Sequence, residues 1–275
     1  MAEKTFISGN FFKNAVEMRQ GPKWGMSLKA ASSMRFRWNE KNPTREIFLK
    51  NIRGSRELCQ VELIHSHKVM AVDSSRELYG VQADGIITQN KNLFPVVTVA
   101  DCMPIFIYEE KTGVFGVLHS GWKGTGIVED ALLLAKEKYG SRPKDFSVVM
   151  GPHIHECCYN IDEERADYFR KNFSSKCVKV GLKNQINFKN EASALNGMDT
   201  LKSCKIEDEK FSNMAYSLSL AEANLFVLKK LGLSEDNIAI SKDCTCCNPI
   251  FGSFRRQNAS EGTFTVQAAW VMWDF

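Results

Sequence analysis

Three short runs constrain what this chain can fold into: Pro95-Val96-Val97-Thr98-Val99, Pro104-Ile105-Phe106-Ile107-Tyr108 and Val114-Phe115-Gly116-Val117-Leu118-His119. Each is apolar and rich in β-branched or aromatic residues, the composition of a strand. Between the second and third lies Glu109-Glu110-Lys111-Thr112-Gly113, a polar turn of hairpin length that contains a glycine. From Thr125 the period changes: Val128, Ala131, Leu132 and Ala135 recur at helical spacing, and Gly140 is placed to end that helix. Phe146 to Met150 reads as a buried strand running into Gly151-Pro152. Ser219 with Glu222 three residues on is the capping-box pattern, which predicts a second helix ending at Gly232. Strands follow at Ile238–Ile240 and Thr263–Trp270. The polar stretch from Lys171 to Lys210 reads as connections with short strands near Val178–Val180 and Gln185–Phe188. Strands and helices interspersed around a local hairpin predict an α+β fold of layered, mixed β-sheets faced by helices. No repeat, low-complexity tract or linker interrupts the 275 residues, so residues 1–275 are expected to form a single domain.

Composition excludes some classes of function. With 36 Lys+Arg against 32 Asp+Glu the net charge is only +4, which argues against a nucleic-acid binder with a basic face. No apolar run is long enough to span a bilayer, since Val96 to Tyr108 is broken by Asp101 and Pro104, so no membrane role is expected. Nine cysteines cannot all pair internally, and the N-terminal segment lacks the apolar core of a signal peptide. Reduced thiols and a cytoplasmic location are the expectation.

The five histidines, His65, His67, His119, His153 and His155, fall in a window of under a hundred residues that also holds Cys102. Ile64-His65-Ser66-His67, Ala100-Asp101-Cys102 and Leu118-His119-Ser120-Gly121 each place a candidate ligand where a strand gives way to a turn. Imidazole and thiolate donors suit zinc, and three protein ligands leave a fourth position open, as in catalytic sites. The bland alternative is a core cysteine among hydrogen-bonded histidines. Next to His119, Gly121-Trp122-Lys123-Gly124-Thr125-Gly126 opens the first helix, where a helix N-terminus and the Lys123 charge could receive a phosphate or carboxylate; a plain tight turn is the competing reading. Arg255-Arg256 is a second cationic pair. Read as strand residues, they would point to opposite faces, with at most one facing a site.

Two further clusters are weaker. Cys244-Thr245-Cys246-Cys247 contains a C-x2-C step and, with Cys157-Cys158, could make a four-thiolate zinc site; typical sites use two spaced pairs, so this is not the expected arrangement. The His-x-His pairs at 65–67 and 153–155 occur in multicopper oxidases, but five histidines are too few for a trinuclear copper cluster.

Taken in order, His65-Ser66-x-x-Val69, Ala83-Asp84-Gly85, Ala100-Asp101-Cys102-x-Pro104, His119-Ser120-Gly121-Trp122-Lys123-Gly124, Gly151-Pro152-x-Ile154 with Cys158-Tyr159, and Cys244-Thr245 with Ser253-Phe254-Arg255-Arg256 resemble the laccase-domain, or multicopper polyphenol oxidoreductase-like, family. That family is regarded as zinc-dependent purine nucleoside phosphorylases with adenosine deaminase activity. The resemblance implies zinc held by His65, Cys102 and His119, with His65 preferred over His67 because it precedes the small residue and the later valine. It implies phosphorolysis of purine nucleosides (adenosine, inosine, guanosine or methylthioadenosine) to a base and ribose 1-phosphate, with small-molecule nucleoside and phosphate as partners. Lys123, Arg255 and Arg256 are the candidate phosphate contacts and Asp101 the candidate acid/base. The chain departs from the family pattern at Lys123 (Arg in most members), at Tyr159-Asn160-Ile161, at Glu261-Gly262-Thr263 and at Asn51-Ile52, positions that bear on substrate contacts rather than the metal. Rival readings are a metal-free cysteine hydrolase using Cys102 and His119, an amide hydrolase of peptidoglycan precursors, and a zinc-stabilised domain without catalysis.

Overall fold

The computed structural model describes residues 3–11, 21–180, 215–261 and 263–273. Its frame is two sheets packed face to face. One is six-stranded, in the order β13 (Ile238–Ile240), β9 (Ser147–Met150), β7 (Met103–Tyr108), β8 (Phe115–Ser120), β5 (Gly85–Thr88), β4 (Val69–Ala71). The other is five-stranded, in the order β1 (Phe6–Asn10), β2 (Lys23–Ser27), β14 (Gln267–Met272), β6 (Leu93–Val99), β3 (Glu57–Gln60). Both sheets are mixed: β4 and β5 pair parallel while β5, β8, β7 and β9 pair antiparallel, and β3 joins β6 in parallel.

Side-chain alternation builds the layers, because successive strand residues point to opposite faces. Along β7, Ile105 and Ile107 pack toward α2 (Ile127–Tyr139) and α4 (Leu220–Lys230), whereas Phe106 and Tyr108 pack into the space between the sheets. There they meet Val97 and Val99 of β6 and Ala269 and Val271 of β14. The opposite residues of those strands, Phe94, Val96, Ala268 and Trp270, pack against Leu49 of α1 (Pro43–Arg53). The order is therefore helices, six-stranded sheet, five-stranded sheet, helix, which is the layered α+β arrangement expected from sequence. β7 and β8 are buried along their whole length, because each is central and covered on both faces.

Local signals match these elements. The β7–β8 hairpin turns through Gly113, whose φ of 75° suits glycine. α2 buries the predicted Val128, Ala131, Leu132 and Ala135, and Gly140 closes it in the left-handed conformation, donating to the Ala135 and Lys136 carbonyls. The Ser219 side chain accepts from the Glu222 amide at the start of α4. A third, small sheet, β10 (Asn160–Ile161), β12 (Tyr216–Leu218) and β11 (Val178–Val180), flanks α3 (Glu163–Asn172). The strand expected at Gln185–Phe188 lies outside the described residues. Arg255 and Arg256 are not on a strand: they occupy the first turn of α5 (Phe254–Glu261). No helix among the described residues is long and apolar enough to cross a membrane.

Candidate functional site

The start of β7, the end of β8 and the start of β5 share one edge of the six-stranded sheet, because β8 runs antiparallel to both neighbours. Pairing of Pro104 with His119 and of Gly85 with Leu118 brings Cys102, His119 and Asp84 together at that edge. His65 approaches on the loop before β4. The ligand atoms of His65, Cys102 and His119 all lie within 4.8 Å of one another, and the two imidazoles meet edge to face with centroids 4.8 Å apart.

Asp84 organises this group, although the sequence reading gave it no role beyond its place in Ala83-Asp84-Gly85. It is fully buried. Its Oδ1 accepts from the His65 amide and contacts His119 Nδ1, both at 2.9 Å; its Oδ2 accepts from the Ser66 amide and hydroxyl, both at 2.7 Å. Burial opposes its ionisation, but the hydrogen bonds from His119 and Ser66 prevail and lower its pKa. An ionised carboxylate only accepts, so His119 Nδ1 carries a proton and Nε2 is the nitrogen left for a ligand or for Cys102. Burial also opposes ionisation of the Cys102 thiol. The His119 charge and hydrogen bonds from His119 and His65 outweigh it and bring the pKa down to about 6. For His119, burial acts to lower the pKa, while the Cys102 thiolate and Asp84 raise it to about 9. The pair is thus held as imidazolium and thiolate, a donor set ready to exchange a proton for a soft cation.

Backbone geometry shows how closely the group is built. His65 and Asp101 hold φ values of 57° and 78°, the left-handed region that non-glycine residues seldom adopt. A side chain at Gly121 would place its Cβ 2.9 Å from Cys102 Sγ, so only glycine leaves the space beside the thiolate open. At Gly124 a Cβ would lie 2.9 Å from the Ser66 carbonyl. Gly121 and Gly124 therefore serve close approach to His65, Ser66 and Cys102. The Gly126 amide donates to Asn224 Oδ1 of α4, and the Ile127 and Glu129 amides to carbonyls of the same loop, so the amides that start α2 are turned to internal partners.

Asp101 is buried, its Oδ1 accepting from Thr245 Oγ1 at 2.7 Å and its Oδ2 from the Arg255 amide at 2.6 Å. Burial pushes its carboxyl up, with these hydrogen bonds acting in the opposite sense. It ties the Cys102 turn to the start of α5.

A pocket of about 610 Å³ opens over His65, Cys102 and Gly121. Trp122, Tyr159, Phe254 and Phe264 supply aromatic walls, and Arg35, Arg37, Arg165 and Arg255 supply cations. Arg165 sits over the Trp122 ring, 4.4 Å from its centroid. Nothing in local spacing marks Arg165 or Phe264; they reach the pocket from α3 and from the segment before β14. Of the sequence-predicted cations, Arg255 lines this pocket, while Lys123 and Arg256 are not among the lining residues. Lys123 is exposed, and Arg256 donates to the Thr245, Cys246 and Asn248 carbonyls at 2.8, 2.6 and 3.4 Å. His67 is exposed and paired with Asp130, and His153 is buried with Nδ1 2.8 Å from the Gly151 carbonyl. Neither joins the His65–Cys102–His119 group.

The chain resembles proteins of known name in sequence and in fold. Purine nucleoside phosphorylase YlmD of Bacillus subtilis is 31% identical over 182 residues, 65% of this chain and 55% of that protein. Purine nucleoside phosphorylase CA_C1699 of Clostridium acetobutylicum is 33% identical over 123 residues, 44% of this chain and 51% of that protein. The chain thus aligns with about half the length of these relatives. In fold, it is similar to the crystal structure of Bacillus licheniformis hypothetical protein YfiH, with a TM-score of 0.72 and 21% identity over 92% of this chain and 93% of that one. The family model for multi-copper polyphenol oxidoreductase laccase matches residues 39–272, most of the chain, and the chain belongs to that family.

Proposed function

We propose that this chain is a zinc-dependent purine nucleoside phosphorylase, acting in the cytoplasm on small nucleosides and phosphate, with hydrolytic deamination of adenosine as a second activity. The observation that carries the reading is the convergence of His65, Cys102 and His119, two of which line a pocket with aromatic walls and four arginines, Arg165 and Arg255 among them. The name shared by the relatives points the same way. The described elements form one domain built around that site.

His65, Cys102 and His119 would hold the zinc, and two imidazoles with a thiolate in this spacing fit it, leaving a fourth position open. When bound, zinc supplies a Lewis acid and lowers the pKa of a water ligand to about 7. Asp84 fixes the His119 tautomer and the His65 backbone, so the donors are oriented before anything binds. Arg165 and Arg255 hold the phosphate beside the sugar, and the faces of Trp122, Phe254 and Phe264 enclose the base and exclude water. Asp101, with both oxygens accepting, acts as a positioning residue for the Cys102 turn rather than as a proton shuttle.

The test is base release from a panel of purine nucleosides with and without phosphate, together with metal content. Cys102→Ala should lose one equivalent of zinc and reduce phosphate-dependent turnover by at least 1000-fold, by order of magnitude for loss of an essential ligand. Absence of phosphate-dependent base release by the parent protein, or full turnover by the variant, overturns the proposal. The imidazolium–thiolate pair favours one second reading, a cysteine hydrolase that needs no metal. Activity that survives a strong chelator would select it.

A further inference from the structure

Four cysteines from two distant segments meet at a place of their own, none of them among the residues that line the pocket. Cys157 and Cys158 lie on the turn between β9 and β10; Cys244 and Cys247 lie between β13 and α5. Their sulfurs are all within 4.8 Å of one another, with Cys247 Sγ 3.6 Å from Cys157 Sγ and 3.3 Å from Cys158 Sγ. Four ligands around one ion at about 2.3 Å place their sulfurs about 3.8 Å apart at the corners of a tetrahedron. A polynuclear iron–sulfur cluster would hold its thiolates further apart, because inorganic sulfide lies between the metals. The two segments are joined by backbone contacts independent of the thiols: His153 bridges Cys244 in parallel, and the Thr245 amide donates to the His153 carbonyl at 3.0 Å. The His155 amide donates to Cys244 Sγ at 3.4 Å, the contact that stabilises a thiolate rather than a thiol. Arg256 lays its guanidinium on the carbonyls of the 244–248 loop, which puts a cation beside what would be an anionic centre. Sequence spacing counted against this arrangement, because adjacent cysteines are unusual ligands. The turn at 155–159 resolves the difficulty: the Cys158 and Tyr159 amides both donate to the His155 carbonyl, and the tight turn aims neighbouring side chains at a common point.

We infer that Cys157, Cys158, Cys244 and Cys247 form a second metal centre, a mononuclear zinc site closed by four thiolates. With no open position it is structural. It clamps the loop whose Thr245 and whose following α5 amide hold Asp101, the residue that positions Cys102.

The test uses the full chain, purified under reducing conditions, with Cys102→Ala so that the pocket centre is removed. One equivalent of zinc should remain, and X-ray absorption at the zinc edge should show a shell of sulfur alone. The parent should carry two equivalents. Cys157→Ser combined with Cys247→Ser in an otherwise unchanged chain should lose one equivalent and retain the other, now with nitrogen and sulfur in its shell. As a measurement needing no new variant, a thiol-reactive mercurial titrated into the Cys102→Ala protein should release its zinc in proportion to the thiols consumed. A Cys102→Ala protein without metal, an iron–sulfur chromophore, a mixed nitrogen and sulfur shell in that variant, or a mass showing these cysteines joined as disulfides would each overturn the inference. Because the parent's turnover is assayed separately, failure here leaves the proposed activity standing, and failure of that activity leaves this site standing.

Discussion

At the scale of the residue, one buried carboxylate ties together the histidine-bearing segments. Asp84 receives four donors, the amides of His65 and Ser66, the Ser66 hydroxyl and His119 Nδ1, on two oxygens. Asparagine would keep the shape but offer one accepting oxygen, and its NH2 group would confront a donor in a buried position. Asp84→Asn should therefore weaken zinc at the pocket centre by roughly 10- to 100-fold, read by chelator competition with Cys102→Ala as the reference for the empty site. Zinc affinity equal to the parent's would show that Asp84 orients nothing. The strained backbone at His65 and Asp101 belongs to the same construction, since hydrogen bonds from neighbouring elements hold conformations that the isolated residues avoid.

At the scale of the element, two helices each bring one arginine to the pocket, beside Arg35 and Arg37. α3 delivers Arg165 over the Trp122 ring and α5 delivers Arg255, while Lys123 is exposed on the turn before α2, outside the lining, with its Nζ 5.5 Å from the Trp122 centroid. Arg165→Ala should raise the KM for phosphate at least tenfold, on the order of one charge-assisted contact, and Lys123→Ala should leave it within twofold; initial rates at varied phosphate separate them. Equal effects of the two changes would place the anion at the 121–126 loop instead. Arg256, one residue on from Arg255, is outside the pocket lining and donates to loop carbonyls. Arg256→Ala strands those carbonyls, a loss of about 2–3 kcal/mol that should appear as a lower Tm. An unchanged melting curve would mean the loop is held without it. The strand reading of this pair, with opposite faces, does not hold: the two residues are helical, and about 100° of rotation per residue separates them.

At the scale of the whole molecule, stability rests on three apolar layers between and outside the sheets, and one buried thiol on β3 makes that stability depend on pH. Burial, with Glu57 nearby, pushes the Cys59 thiol from its usual 9.0 up to about 12. The folded chain then keeps a proton that the unfolded chain gives up, so this contribution is intact below pH 9 and is lost as pH rises toward 12. It amounts to about 4 kcal/mol at most. Denaturant melts across that range should show a shallower alkaline decline for Cys59→Ala than for the parent, and parallel curves would reject the assignment. The layering was legible only in part: the helical spacing from Val128 to Ala135 states which face α2 buries, because apolar periodicity is a local property, whereas β7, apolar throughout, shows only that both of its faces are covered. The ordered set of motifs that carries the family was legible, and with it His65, Cys102 and His119. The roles of Asp84, Arg165 and Gly121, and the meeting of Cys157 and Cys158 with Cys244 and Cys247, were not legible. Each depends on contact between segments tens of residues apart, set by strand register and layer order, and no spacing within one segment encodes such a distance.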